Sequence, residues 1–107
     1  MSDWMSVDAA SAIEPGSHRI VETDDVRIAV FNIDGNFFAI EDLCSHDYAT
    51  LADGDLNGDE IICPLHGAAF CVRTGEALTP PAYEDIATFP TKVEDDGVLY
   101  VRDNRFD

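Results

Sequence analysis

Basic residues are scarce in this 107-residue chain. Six lysines and arginines stand against 22 aspartates and glutamates, so the formal net charge is −16 at pH 7. Nucleic acids and anionic membrane surfaces are polyanions, and this charge balance makes both poor partners. A protein with a basic docking patch fits better, because opposite charges raise the rate of encounter. Solubility alone is the other interpretation of the same charge.

The chain also lacks a long apolar run, and it has few cysteines. No segment approaches the length of a transmembrane helix. The residues from Met1 to Trp4 lack the basic region and apolar stretch of a secretory signal, so we expect a cytoplasmic protein. The three cysteines are Cys44, Cys63 and Cys71. An odd number in a reducing compartment favours a metal site with one spare thiol over a disulfide framework.

Helical periodicity is almost absent as well. Short apolar segments alternate with turn residues, a pattern that predicts a small all-β domain. Asp34-Gly35 is the strongest hairpin signal, because both turn positions accept positive φ. It should join strands 26–33 and 36–40. The other predicted segments are a helical turn at 9–13 capped by Asp8, and strands at 1–7, 17–22, 60–63, 67–72, 86–93 and 98–101.

Acidic residues, asparagine and glycine crowd residues 53–59, which we interpret as two turns. An oxygen-rich run of this kind also suggests a calcium-binding loop. Such a loop requires a glutamate at its twelfth position, where this chain has Pro64. Calcium is therefore disfavoured.

Two cysteine–histidine pairs carry the chemistry of the chain. Cys44-Ser45-His46 is followed, after sixteen residues, by Cys63-Pro64-Leu65-His66. Two loops that each present one thiolate and one imidazole make a Cys2His2 metal site, and structural zinc is one occupant of such a site. Zinc fingers, however, draw like ligands from each short segment. Mixed pairs instead suit a [2Fe–2S] cluster with two histidines on one iron.

The two pairs resemble the Rieske ferredoxin family. More narrowly, they resemble the small ferredoxin components of bacterial ring-hydroxylating dioxygenases. Further residues that carry this resemblance are Gly67, Phe70, Gly75 and Pro80-Pro81. The resemblance covers nearly the whole chain. It implies one Rieske-type cluster, with the Cys44 and Cys63 thiolates on the inner iron and the His46 and His66 imidazoles on the outer iron.

The resemblance also implies a fold and a domain organisation. Residues 1–107 would form a single Rieske domain with a small antiparallel β-sandwich base. A cluster-binding subdomain of two metal loops, at about residues 43–82, would be inserted in that base.

We expect the remaining thiol, Cys71, to lie buried or half-buried in the core, and His18 to lie at the surface.

The chain departs from the Rieske proteins of respiratory and photosynthetic complexes. Those proteins carry an extra, disulfide-bonded cysteine in each metal loop, where this chain has Ala49 and Leu65. They also place hydroxyl donors near the cluster sulfurs, where this chain has Ala68 and Phe70. Donors to the sulfurs stabilise the added electron. We therefore expect a midpoint potential toward the lower end of the Rieske range, which is roughly −150 to +300 mV.

The ligand count predicts an electron carrier and no enzyme. A terminal oxygenase also needs a mononuclear iron held by two histidines and a carboxylate, and only His18 is left after the cluster is formed. No glycine-rich nucleotide loop is present either. The resemblance implies transfer of single electrons from a flavin-dependent ferredoxin reductase to a terminal Rieske non-haem iron oxygenase in aromatic-compound oxidation.

The expected state is a monomer that docks transiently on these partners near His46 and His66. Asp47, Tyr48 and the Pro80-Pro81 loop are the predicted rim of the docking face. Three alternatives stay open: a Rieske-like electron-transfer subunit of a nitrite reductase, the same in an iron–sulfur assembly system, or a zinc-stabilised structural domain.

Overall fold

The computed structural model describes residues 4–24, 26–42, 51–63, 67–79 and 85–104. These ranges contain ten strands, paired only in antiparallel fashion, and two 3-10 helices, Ala10–Ala12 and Leu51–Asp53. The strands are β1 (Met5–Ala9), β2 (His18–Glu22), β3 (Arg27–Ile33), β4 (Asn36–Glu41), β5 (Asp55–Asn57), β6 (Glu60–Ile62), β7 (Ala69–Cys71), β8 (Thr88–Phe89), β9 (Thr91–Val93) and β10 (Val98–Val101). The all-β prediction is confirmed. In the described part of the chain, no helix has the length and apolar character to cross a membrane.

The strands form three sheets, in the orders β1-β10-β9, β2-β3-β4-β8 and β5-β6-β7. The four-stranded sheet is the middle layer, because β3 is buried on both faces. Ala29, Phe31 and Ile33 join a core shared with β6 and β7, whereas Ile28 and Val30 join a core shared with β10. Alternate side chains of a strand point to opposite faces. The middle sheet therefore separates a base core from a core that contains Cys63.

The central hairpin follows the sequence prediction. Asp34 and Gly35 connect β3 to β4 with φ values of 54° and 92°, as a two-residue turn of type I′ requires. Strand β4 runs one residue beyond the predicted end and is followed by buried Asp42. The hairpin thus brings the chain to the start of the first Cys/His segment.

One predicted strand, residues 86–93, is two strands in the structure. Pro90 separates β8 from β9, and the two pair with different sheets, β8 with β4 and β9 with β10. Proline has no N–H to donate to a ladder. Its carbonyl accepts a hydrogen bond from the N–H of Arg102 at 3.2 Å. The prediction was wrong because the strand changes sheet at the proline.

Residues 53–59 also differ from the prediction of two turns. Strand β5 (Asp55–Asn57) lies inside this run. Of the two predicted turns, only the second is present, at Gly58 with a φ of 66°. Leu56 is half-buried against the core, while Asp55 and Asn57 are exposed. A polar–apolar–polar triplet between turn residues is too short a pattern to predict a strand.

The N-terminal elements begin later than predicted. Strand β1 is Met5–Ala9, and the helical turn is the 3-10 helix Ala10–Ala12. Asp8 does not cap that helix: it lies within β1 opposite Leu99 and accepts a hydrogen bond from the N–H of Ala9 at 2.8 Å. Pairing with β10 therefore extends the strand over the expected capping position.

Candidate metal centre

Of the four predicted ligands, the structure describes Cys63. The other three, Cys44, His46 and His66, lie outside the described residues. So do the predicted docking residues Asp47, Tyr48 and Pro80-Pro81, and the positions Ala49 and Leu65. The ligand set therefore stays a prediction, and the described residues report on what surrounds it.

Cys63 begins the connection between β6 and β7. Its N–H donates to the carbonyl of Ala68 at 2.7 Å, and its own carbonyl accepts from the N–H of Gly67 at 3.0 Å. Gly67 has a φ of 72°, a conformation that residues with a side chain rarely adopt. Ile62 and Ala69 pair directly outside these bonds. The second Cys/His pair thus begins at the closed end of a hairpin.

Cys63 is 1% exposed and belongs to the core formed with Ile61, Ala68 and Phe70. This environment fits a structural metal ligand better than a reactive thiol, which needs access to solvent. Ala68 and Phe70 are both fully buried and bring no hydroxyl group to this core. The expectation of a low potential is consistent with their burial and stays a prediction.

The segment that follows the first Cys/His pair touches the strand that leads into the second. Gly54 follows the 3-10 helix Leu51–Asp53, and a Cβ added to Gly54 would collide with the carbonyl of Ile62. Leu51 and Ala52 are buried in the same core as Cys63. The described ends of the two ligand segments are therefore in contact, as a site built from two loops requires.

Asp42 is a residue of this region that the sequence analysis missed. It lies two residues before Cys44, and its carboxylate accepts a hydrogen bond from the N–H of Ala52 at 2.7 Å. In a chain with so many acidic residues, the sequence alone does not distinguish Asp42 from the others. Its role as a hydrogen-bond acceptor is seen only in the structure, which places the N–H of Ala52 beside its carboxylate.

The segment that contains Pro80-Pro81 is hydrogen-bonded to β7 at one described end and to Ala77, which forms an isolated bridge with Phe70 of β7, at the other. The hydroxyl of Thr79 accepts a hydrogen bond from the N–H of Ala69 at 2.9 Å. The carboxylate of Asp85 accepts one from the N–H of Ala77, also at 2.9 Å. The proline segment therefore starts and ends beside the hairpin that carries Cys63.

His18 and Cys71 are described residues outside the predicted ligand set. His18 is half-buried, with its ring 5.5 Å from that of Phe31, so it is less exposed than predicted. Cys71 is half-buried in β7, as expected. Among the described residues, no group of three or more histidine, cysteine, aspartate or glutamate side chains is placed to hold a metal. Among the described residues there is thus no alternative metal site to the one predicted from the two Cys/His pairs.

Acidic residues outnumber basic residues in the described part of the chain. Four basic residues already form salt bridges within the chain: Arg19 with Asp8, Arg27 with Glu22 and Asp42, Arg73 with Asp59, and Lys92 with Glu94. The hydrogen bonds that Arg27 donates, first to Asp42 and then to Glu22, raise the pKa of its guanidinium above the usual value. The remaining acidic residues carry the excess negative charge, which favours a partner with a basic surface.

Relatives of the chain include the biphenyl dioxygenase ferredoxin subunit of Pseudomonas sp. (strain KKS102). That protein is 41% identical over 88 residues, which cover 81% of each chain. A chain of the solved complex of reduced oxygenase and oxidized ferredoxin in carbazole 1,9a-dioxygenase superposes with a TM-score of 0.90 and 38% identity, covering 95% of this chain and 94% of the other.

A putative NADH-dependent nitrite reductase small subunit from Mycobacterium tuberculosis shares the fold. Its TM-score is 0.81 at 22% identity, covering 94% of both chains. At that identity the likeness concerns the fold alone. Residues 3–90 match the Rieske [2Fe-2S] domain family, whose cofactor is a [2Fe–2S] cluster of the Rieske type. With this match and the dioxygenase ferredoxin as a relative over most of its length, the chain belongs to the Rieske [2Fe–2S] domain family.

Proposed function

We propose that this chain is a one-electron carrier between a flavin-dependent ferredoxin reductase and a terminal Rieske non-haem iron oxygenase that oxidises aromatic compounds. The observation that carries the proposal is the relation to a dioxygenase ferredoxin subunit over 81% of both chains. The solved complex of a similar ferredoxin-sized chain with an oxygenase supports the second partner. The role is that of an electron-transfer component, and the oxygenase would carry out the catalysis.

The proposed ligands are the thiolates of Cys44 and Cys63 for one iron and the imidazoles of His46 and His66 for the other. The bound cluster supplies reversible one-electron chemistry at a potential that its ligands and surroundings set. Burial of Cys63 in an apolar core keeps water from that ligand. The two hydrogen bonds that close its loop hold the backbone on either side of it.

We further propose that residues 1–107 are one domain, with a cluster-binding subdomain at about 43–82. The sheet β5-β6-β7 lies inside that range and packs on one face of the middle sheet. The base would consist of the other two sheets. A cytoplasmic location and a monomeric state complete the proposal, and they rest on the sequence.

Site-directed replacement of cysteine tests the ligand set. Cys63→Ser should abolish the red-brown colour and the EPR signal of the reduced protein, because a required thiolate is lost. Cys71→Ser is the matched control and should keep both, since Cys71 is a half-buried residue outside the ligand set. A Cys63→Ser protein with the wild-type signal would contradict the assignment.

Reconstitution tests the pathway. Reduced protein, mixed with the terminal oxygenase and its aromatic substrate, should be reoxidised as product forms, and the reductase should regenerate it. Failure to reoxidise with any aromatic-ring oxygenase from the same cell, while a nitrite reductase does accept the electron, would favour the alternative role. Colourless protein that contains zinc after purification without oxygen would overturn both roles in favour of a structural domain.

A further inference from the structure

Asp42 is a buried carboxylate between the base and the first ligand segment. Its side chain is fully buried, with an exposure of 0%. The backbone around it is fixed, because the N–H of Glu41 donates to Ala87 and the N–H of Asp42 donates to Arg27, at 2.9 and 2.8 Å. Burial of an ionised group is costly unless that group is paired and hydrogen-bonded. Asp42 therefore requires a cationic partner and hydrogen-bond donors that offset the cost of its burial.

Both oxygens of Asp42 have such a partner. Oδ2 accepts from Nε of Arg27 at 2.7 Å, and Oδ1 accepts from the N–H of Ala52 at 2.7 Å. Arg27 belongs to β3 of the middle sheet, and Ala52 lies in the 3-10 helix Leu51–Asp53. One side chain thus joins the end of β4, the middle sheet and the backbone directly after residues 43–50.

We propose that Asp42 is a positioning residue for the cluster: its carboxylate closes the segment that carries Cys44 and His46, and its charge lowers the midpoint potential. The proposal rests on the ligand assignment made under the proposed function. Asp42 and Ala52 flank that segment on both sides. A hydrogen bond between the two flanks reduces the conformations open to the residues between them, and hence the entropy lost when they bind the cluster.

The charge of the predicted centre changes from zero to negative when it is reduced. Two ferric ions, two sulfides, two thiolates and two neutral imidazoles give no net charge, so reduction creates one negative charge. Asp42 lies two residues before Cys44, so its negative charge opposes that step, and burial weakens the screening of this charge by salt. Arg27 offsets Asp42 only in part, because it also pairs with Glu22 at 3.1 Å and is 41% exposed.

Two substitutions separate the two roles. Both partners of Asp42 are donors, so they need two acceptor oxygens, which the carboxylate provides and an amide does not. Asp42→Asn removes the charge and keeps one acceptor, which can stay on Ala52 because the exposed Arg27 can turn to water. Asp42→Ala removes both acceptors and leaves the buried N–H of Ala52 without this partner.

Asp8→Asn is the matched control. Asp8 also pairs with an arginine, Arg19 at 3.0 Å, but its side chain is 40% exposed. The substitution removes the same formal charge from β1, which belongs to a different sheet from the strand β4 that precedes Asp42. Any effect of overall charge on the cluster would therefore appear in this variant as well.

The experiment measures amide hydrogen exchange, cluster retention and midpoint potential in all four proteins. In Asp42→Ala, exchange at Ala52 should accelerate by roughly tenfold or more, the size expected when a buried amide loses its acceptor. That variant should also lose iron faster than wild type. Asp42→Asn should keep its iron and show a higher midpoint potential, while Asp8→Asn should match wild type in all three measurements.

Unchanged exchange at Ala52 in Asp42→Ala would overturn the closing role. A midpoint potential of Asp42→Asn that is no higher than that of Asp8→Asn would overturn the electrostatic role. This test needs only the Asn variants, so it stays available if Asp42→Ala fails to fold. Failure of the ligand assignment has a different signature: a Cys44→Ser protein with a wild-type EPR signal. These outcomes are distinguishable because the first two compare variants of Asp42 with a wild-type protein whose cluster is intact.

Discussion

Gly54 offers the sharpest test of how the two segments that carry the predicted ligands are held together. Gly54→Ala would place a methyl group against the carbonyl of Ile62, one residue before Cys63. The obstacle is backbone, so it cannot turn away as a flexible side chain can. Gly54 has no positive φ, and the strain of the variant would therefore be steric. Either Ile62 moves away, or the 3-10 helix Leu51–Asp53 does.

The size of the effect follows from the nature of the obstacle. Overpacking a well-packed region costs typically about 1–3 kcal/mol, and a collision with backbone belongs at the upper end of that range. For a domain of this size, each kcal/mol lowers the unfolding midpoint by roughly 4–8 °C, so we expect a decrease on the order of 10–20 °C. The variant should also lose the cluster faster, because the added methyl group displaces the backbone next to Cys63.

Gly97→Ala is the matched control for this prediction. Gly97 has a φ of 80° and nothing within 4 Å of an added Cβ, so its substitution costs only the left-handed conformation, about 1–2 kcal/mol. It lies between β9 and β10 in the base. This variant should lose stability without a specific effect on the cluster.

The assay follows unfolding by far-UV circular dichroism and cluster loss by visible absorbance. Cluster proteins depart from two-state unfolding, so the unfolding midpoints are compared between variants at one heating rate. Cluster loss is compared at the same interval below each protein's own midpoint. A Gly54→Ala midpoint within about 3 °C of wild type, less than the shift expected for 1 kcal/mol, would refute the steric reasoning. Equal rates of cluster loss in the two variants would refute the link to Cys63.

Three further predictions concern potential, salt and acid. The midpoint potential should lie below about +100 mV within the Rieske range, and Ala68→Ser should raise it if the hydroxyl donates to a sulfur; a redox titration followed by EPR measures both. Electron transfer to the oxygenase should slow as ionic strength increases, and a flat dependence in stopped-flow measurements would exclude electrostatic steering. Hydrogen bonding to Arg19 lowers the pKa of Asp8, so its contribution to stability is present above the unfolded pKa and is lost as pH falls through the folded pKa. The difference in unfolding midpoint between wild type and Asp8→Asn should therefore shrink in acid.

Local signals predicted part of this structure. The Asp34-Gly35 hairpin was predictable because its chemistry lies within two residues, and both adopt positive φ. The spacing of Cys63 to His66 also lies within one short segment, and the ligand role of these residues stays a prediction. Of the predicted strand 26–33, residues 27–33 form β3, and the apolar run from Ile28 to Phe31 reflects burial on both faces.

Contacts between distant segments were not predictable from the same signals. The position of Asp42 beside Ala52 depends on where the 3-10 helix packs, and the approach of Gly54 to Ile62 depends on how two segments cross. Pro90 is an intermediate case: the missing N–H was visible in the sequence, but the change of sheet depends on the partners of each half. Single-sequence patterns describe faces and turns, and they do not describe which faces meet.

The double burial of β3 has a consequence for how such a protein can evolve. Phe31 faces the core that contains Cys63, and its neighbour Val30 faces the base core. Substitutions at odd and even positions of this strand therefore act on different parts of the molecule, although they are adjacent in the gene. Substitutions at the odd-numbered positions would change the surroundings of Cys63. Substitutions at the even-numbered positions would be compensated by other residues of the base core. We expect residues of β3 to covary with positions two apart more strongly than with their immediate neighbours.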